Sequence, residues 1–223
     1  MSALEDFNHL RNDLFGHLDV LIQHSENYYV LCREAAEREH IYGGRAFNLI
    51  RRAVGHEIVS RLYRLIETSS DARHFQRLMQ MLEDNSTLQL LLPRFNHDGL
   101  KSFEDLITLR DGVVEQFAGI RASEYFHKVD IYRNRFVAHR VPHPYNLKKY
   151  TPTADVTELS SAELRWLTDS LSAIAERVNY MSDRSGFPAD QIARMAQNEA
   201  HALWGLEPLK EPDFPEGFFD ENW

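Results

Sequence analysis

The chain has 223 residues, 43% hydrophobic and 26% charged, a balance that suits one domain with a sizeable core and excludes collagen-like or wholly disordered chains. No aliphatic run exceeds three residues, as at Leu90, Leu91 and Leu92, and the opening residues are acidic, so neither a membrane span nor a secretory signal is expected and the reading is a soluble, cytoplasmic protein. A lone Cys32 excludes an internal disulfide and a zinc ribbon, and a net charge of −9 is the wrong sign for coating nucleic acid, so any basic surface must be local.

Leu4, Phe7, Leu10, Leu14, Leu18 and Leu21 recur at three- and four-residue steps, and Ser2 with Glu5 reads as a capping box. They predict an amphipathic helix running to about Arg38 and broken by Gly43 and Gly44. A second helix follows, with Phe47, Ile50, Val54, Ile58, Leu62 and Leu65 as its apolar stripe and Arg51, Arg52, Arg61 and Arg64 mostly off it. A short helix is expected to start at Ser69 to Asp71, with another turn or two before Pro93 and a loop from Pro93 to Gly99.

Ser102 and Asp105 predict the start of a long helix carrying Leu106, Leu109, Val113, Phe117 and Ile120. A further helix is expected from about Ser123 to His139, where Pro142 and Pro144 stop it before an extended connection over 141–159. Ser160 with Glu163 predicts a cap for a helix bearing Leu164, Leu167, Leu171, Ile174 and Val178. Pro188 suits the first turn of a last helix that ends at Gly205. No stretch alternates as a strand, so the fold class is an all-α bundle of five to six substantial helices over residues 1–205. Residues 206–223 form an acidic tail rich in Pro and aromatics, expected to cover the basic segment described below.

Few constellations suit chemistry. His9, Asp13 and His17 share a helix face, but that face is the polar one and solvation explains it without a metal. His56 and Glu57 resemble the start of the zinc-protease H-E-x-x-H helix, yet Ser60 replaces the second ligand. No Gly-rich phosphate loop and no nucleophile elbow is present, and no cofactor is expected.

Charge is more informative. Residues 121–150 hold Arg121, Lys128, Arg133, Arg135, Arg140, Lys148 and Lys149 against two acids, a balance of +5 that leaves −14 elsewhere. Tyr125, Phe126, Tyr132, Phe136, Tyr145 and Tyr150 interleave with them. Phosphate and base contacts would use such a mixture, but the helical spacing of the aromatics before Val137 favours a core role for those.

Within this segment lies Tyr132-Arg133-Asn134-Arg135-Phe136-Val137-Ala138-His139-Arg140. The pattern R-N-x-x-x-A-H resembles the signature of HEPN domains, in which an Arg precedes a His by four to six residues. With the RLYRLIE stretch at Arg61 to Glu67 upstream and a helix downstream, the order over roughly 3–180 is most similar to the abortive-infection branch of that superfamily.

The resemblance implies a homodimer of helical bundles whose motifs face each other across a cleft. It also implies a metal-independent endoribonuclease acting on RNA as a toxin or antiviral effector, with an antitoxin or regulatory protein as a further partner. Arg133, Asn134 and His139 would then be catalytic, with Arg135, Arg140, Lys128, Lys148 and Lys149 binding substrate. At about 100° per residue Arg133 and His139 lie roughly 120° apart on an ideal helix, whereas Arg135 and His139 are about 40° apart. Either the helix is irregular near Asn134 or Arg133 acts with the partner's residues. A toxin subgroup carries Tyr two residues after its His, where this chain has Val141, so regulation through that Tyr is not expected. The alternative is a non-catalytic dimeric helical module that binds a partner protein, with Arg133 and His139 as interface hydrogen-bonders.

Overall fold

The computed structural model describes residues 2–33, 44–67, 74–97, 99–133, 159–183 and 186–207, and all regular structure among them is helical. Eight helices follow in order: α1 (Ala3–Arg33), α2 (Gly44–Ile66), α3 (Phe75–Glu83), α4 (Asn85–Phe95), α5 (Phe103–Ala122), α6 (Glu124–Tyr132), α7 (Ser161–Asp183) and α8 (Ala189–Leu203). The expected five or six thus become eight, because α3, α4 and α6 are independent elements of 9 to 11 residues. Among the described residues no helix is long and apolar enough to cross a membrane.

α1 is the central element, packed along α2, α7 and α8, because its stripe from Phe7 to Leu21 is wholly buried and meets Leu164, Leu167, Leu171, Ile174 and Val178 of α7 in one core. α5 closes the far side through Leu106, Val113, Phe117 and Ile120. A second, smaller cluster joins the end of α1 (Val30, Leu31), the start of α2 (Phe47) and the end of α8 (Ala200, Trp204). Phe47 and Trp204 meet edge to face at 5.8 Å.

Side chains set the boundaries. The three expected boxes form: Ser2 with Glu5, Ser102 with Asp105 and Ser160 with Glu163 each satisfy a backbone N–H in both directions. α8 ends in a Schellman motif, with the Leu206 N–H donating to the His201 carbonyl at 2.8 Å and the Gly205 N–H to Ala202 at 3.3 Å. Gly205 takes φ +63°, and Leu206 lies against the small cluster.

Several expectations are corrected. α3 begins after His74, whose Nδ1 accepts from the Arg77 N–H at 3.1 Å; the expected start at Ser69 to Asp71 lies outside the described residues. Pro93 does not end α4. It sits in the last turn, where its missing N–H removes only one bond, and Asn96 N–H still reaches the Leu92 carbonyl at 2.8 Å. Pro188 is the N-cap of α8, one residue before its first turn. Ile50, read as core, is 43% exposed, so the inward face of α2 is instead Phe47, Ile58, Val59, Leu62, Leu65 and Ile66. The ends of the predicted first and sixth helices, beyond Arg33 and Arg133, lie outside the described residues, as do the connection over 141–158 and the tail after Glu207.

Candidate active site

The seam between α1 and α2 is polar where it approaches α6. Tyr28 crosses it against Gly55, where a Cβ would come within 3.3–3.4 Å of the Tyr28 ring and hydroxyl, so glycine there permits the close crossing of the two helices. Burial pushes the Tyr28 hydroxyl well above its usual range, and burial likewise raises the Cys32 thiol, to which it is hydrogen-bonded. Neither is a ready nucleophile. His24 lies on the same seam, where burial and Arg61 lower its titration and Glu57 opposes them. Arg61 Nε is 2.7 Å from Glu57 Oε1 as an ion pair, although its N–H is not aligned as a hydrogen bond.

From this seam α2 grips the end of α6 at two points. His56 Nε2 and the Tyr132 hydroxyl are 3.0 Å apart in a hydrogen bond, their rings edge to face at 5.6 Å. Two helical turns further along α2, the Tyr63 ring lies beneath the guanidinium of Arg133, 4.3 Å from the centroid to Cζ, a cation–π contact. Positions 56 and 63 share one face of α2, so a single helix surface meets consecutive residues of α6. Arg133 itself keeps right-handed helical dihedrals, φ −57° and ψ −49°.

Of the residues singled out from sequence, the described structure contains Arg133 and Lys128. Asn134, Arg135, His139, Arg140, Lys148 and Lys149 lie outside the described residues. Arg133 is half-buried at the end of α6 against α2. The Lys128 ammonium is paired with Glu163 on α7 and lies 5.8 Å from the Tyr125 ring. Burial alone would raise the Glu163 carboxyl, but hydrogen bonds from Lys128 and Ser160 outweigh it and hold the group below its ordinary range. This pair ties α6 to the first turn of α7, fastening the two helices on either side of residues 134–158. Lys128 is therefore a structural ion pair, a role the sequence reading did not give it.

Tyr125, Phe126 and Tyr132 are half-buried against the core, as their spacing predicts. Sequence reasoning missed His56 and Tyr63 as companions of Arg133. By sequence His56 is only half of an incomplete metal motif and Tyr63 only a member of the RLYRLIE stretch; no local spacing links either to a residue some 70 positions away.

The arrangement can hold a planar cation in a fixed orientation at a helix end, which suits recognition of a phosphate or carboxylate. No curated protein and no solved structure matches the chain. A family model described as AbiU2, the HEPN type, matches residues 2–203 and so takes in all eight helices, the Arg133 grip and the whole R-N-x-x-x-A-H segment. With that match over an all-helical domain, the chain belongs to the AbiU2 family of HEPN domains, an Abi-type family.

Proposed function

We propose that this protein is a metal-independent endoribonuclease that acts in antiviral defence, cleaving RNA at a site composed by two copies of the chain. The observation that carries the reading is the orientation of Arg133 by Tyr63 at the end of α6, directly before Asn134 and six positions before His139. In the reaction the ribose 2′-hydroxyl attacks its own phosphorus, its proton passes to a base, and the 5′-oxygen leaves with a proton from an acid. A cyclic phosphate and a 5′-hydroxyl result.

His139 serves the proton transfers, Arg133 holds the phosphate and stabilises the added charge of the pentacoordinate state, and Asn134 orients the phosphate or caps the helix. Arg135, Arg140, Lys148 and Lys149 contact the strand, whereas Lys128 is left out because Glu163 engages it. Incubating purified protein with total RNA in EDTA tests the reading. Cleavage to cyclic-phosphate ends is expected, with a loss of at least roughly ten-fold in Arg133→Lys, since a point charge does not reproduce a two-pronged contact. Cleavage that requires a divalent ion rejects it.

An exposed apolar stripe on α2, Ala46, Leu49, Ile50 and Ala53 at helical spacing, with Leu49 70% exposed, supports an interface with a second copy. These residues lie on the helix that grips α6, so a dimer through them would couple the interface to the Arg133 site through α2. Light scattering is expected to show a dimer that Leu49→Glu with Ile50→Glu converts to a folded, inactive monomer. An unchanged mass would remove this interface. The same stripe favours the alternative reading of a non-catalytic module docking a partner protein, which gains weight if the dimer forms but no RNA is cut.

A further inference from the structure

We infer that α2 builds the site as much as the motif helix does: Tyr63 is the positioning residue of Arg133, and His56 through Tyr132 fixes the end of α6 on which Arg133 stands. The inference rests on the ribonuclease reading and adds residues that the R-N-x-x-x-A-H pattern does not contain.

A guanidinium at a helix end is carried on a side chain with four rotatable bonds, so without a second contact it samples many positions. The Tyr63 ring at 4.3 Å restricts it to one plane. A guanidinium held over a ring by its face keeps the N–H donors in its plane for phosphate, so the two interactions are compatible and the first prepares the second. Lys at position 133 would lose this preparation, having no plane to stack.

The His56–Tyr132 hydrogen bond acts one residue earlier and ties the last described turn of α6 to α2. It prevents the last turn from rotating and carrying Arg133 off the Tyr63 ring. Both contacts come from one face of α2, so a shift of that helix, for instance on dimerisation through its exposed stripe, would move the guanidinium with it.

The test uses the full-length protein and a double-mutant cycle. Tyr63→Leu should lower kcat for RNA cleavage roughly ten-fold while Tyr63→Phe, which keeps the ring, stays within about two-fold of wild type. In an Arg133→Ala background Tyr63→Leu should cost nothing more, a result that a merely structural role for Tyr63 would not produce. Tyr132→Phe should lower kcat several-fold, and adding His56→Leu to it should have little further effect.

A second readout needs no cleavage. Ring current from Tyr63 should shift the Arg133 side-chain proton resonances upfield, a shift lost in Tyr63→Leu and kept in Tyr63→Phe. Additive effects in the cycle, or Arg133 resonances unmoved by Tyr63→Leu, overturn the inference. A protein that cuts nothing but shows the shift sinks the ribonuclease reading and leaves the grip established.

Discussion

On the proposed mechanism, His139→Ala is expected to lower RNA cleavage by roughly 10²–10⁴-fold without unfolding the protein, the loss that follows when general acid–base help is removed. Transesterification at phosphorus needs a group that takes a proton near neutral pH. Histidine is the side chain whose ordinary titration lies nearest that range, which is why His139 is assigned the role. Activity is therefore expected to rise as the medium passes from mildly acidic to neutral, as an imidazole base requires. Single-turnover rates on a short RNA, with melting curves to confirm folding, provide the check. A folded His139→Ala protein that cleaves at the wild-type rate would falsify the mechanism.

The largest expected effect on stability falls on a carboxylate of α1. Glu26, only 2% exposed on α1, receives Arg165 Nε of α7 at 2.9 Å and Gln197 Nε2 of α8 at 2.5 Å, and Arg165 also lies over the Tyr29 ring at 4.5 Å. Three helices are joined through one carboxylate. Burial pushes its titration above the ordinary carboxylate range, against the lowering effects of Gln197 and Arg165.

Arg165→Leu leaves a buried carboxylate with an amide as its remaining partner, and should cost about 3–5 kcal/mol near pH 8. For a chain of this size that corresponds to roughly 6–20 °C in Tm. Because the folded state binds the Glu26 proton more readily than the unfolded chain does, the contribution of this group to stability is full below the unfolded value near about 4.3 and declines as pH rises through the raised folded value. The penalty of Arg165→Leu should therefore shrink at pH 5, where protonation relieves the unpaired charge. Adding Glu26→Leu should recover most of the loss, since apolar side chains of similar size commonly replace a buried pair without cost. Calorimetry at pH 5 and pH 8 decides it: an equal penalty at both values would show that the carboxylate is not the cause.

What the sequence by itself determined was everything that depends on neighbours along the chain. Helical class, the buried stripes of α1, α5 and α7, the three capping boxes and the Gly205 stop all follow from residues within four or five positions of each other, and these forces act at the same range. The R-N-x-x-x-A-H segment was legible for the same reason, and the family match includes it.

Tertiary structure decided the rest. Ile50 sits on the apolar side by periodicity, but α1 and α8 cover only the Phe47 edge of that end of α2 and leave Ile50 outside. Lys128 looks like any cation in a basic run until α7 brings Glu163 beside it. Tyr63 and His56 become companions of Arg133 and Tyr132 only because α2 and α6 pack together, across some 70 residues that no local pattern spans. Periodicity states which side of a helix is apolar; which neighbour covers that side, and which polar groups then meet, is set by how all the helices pack at once.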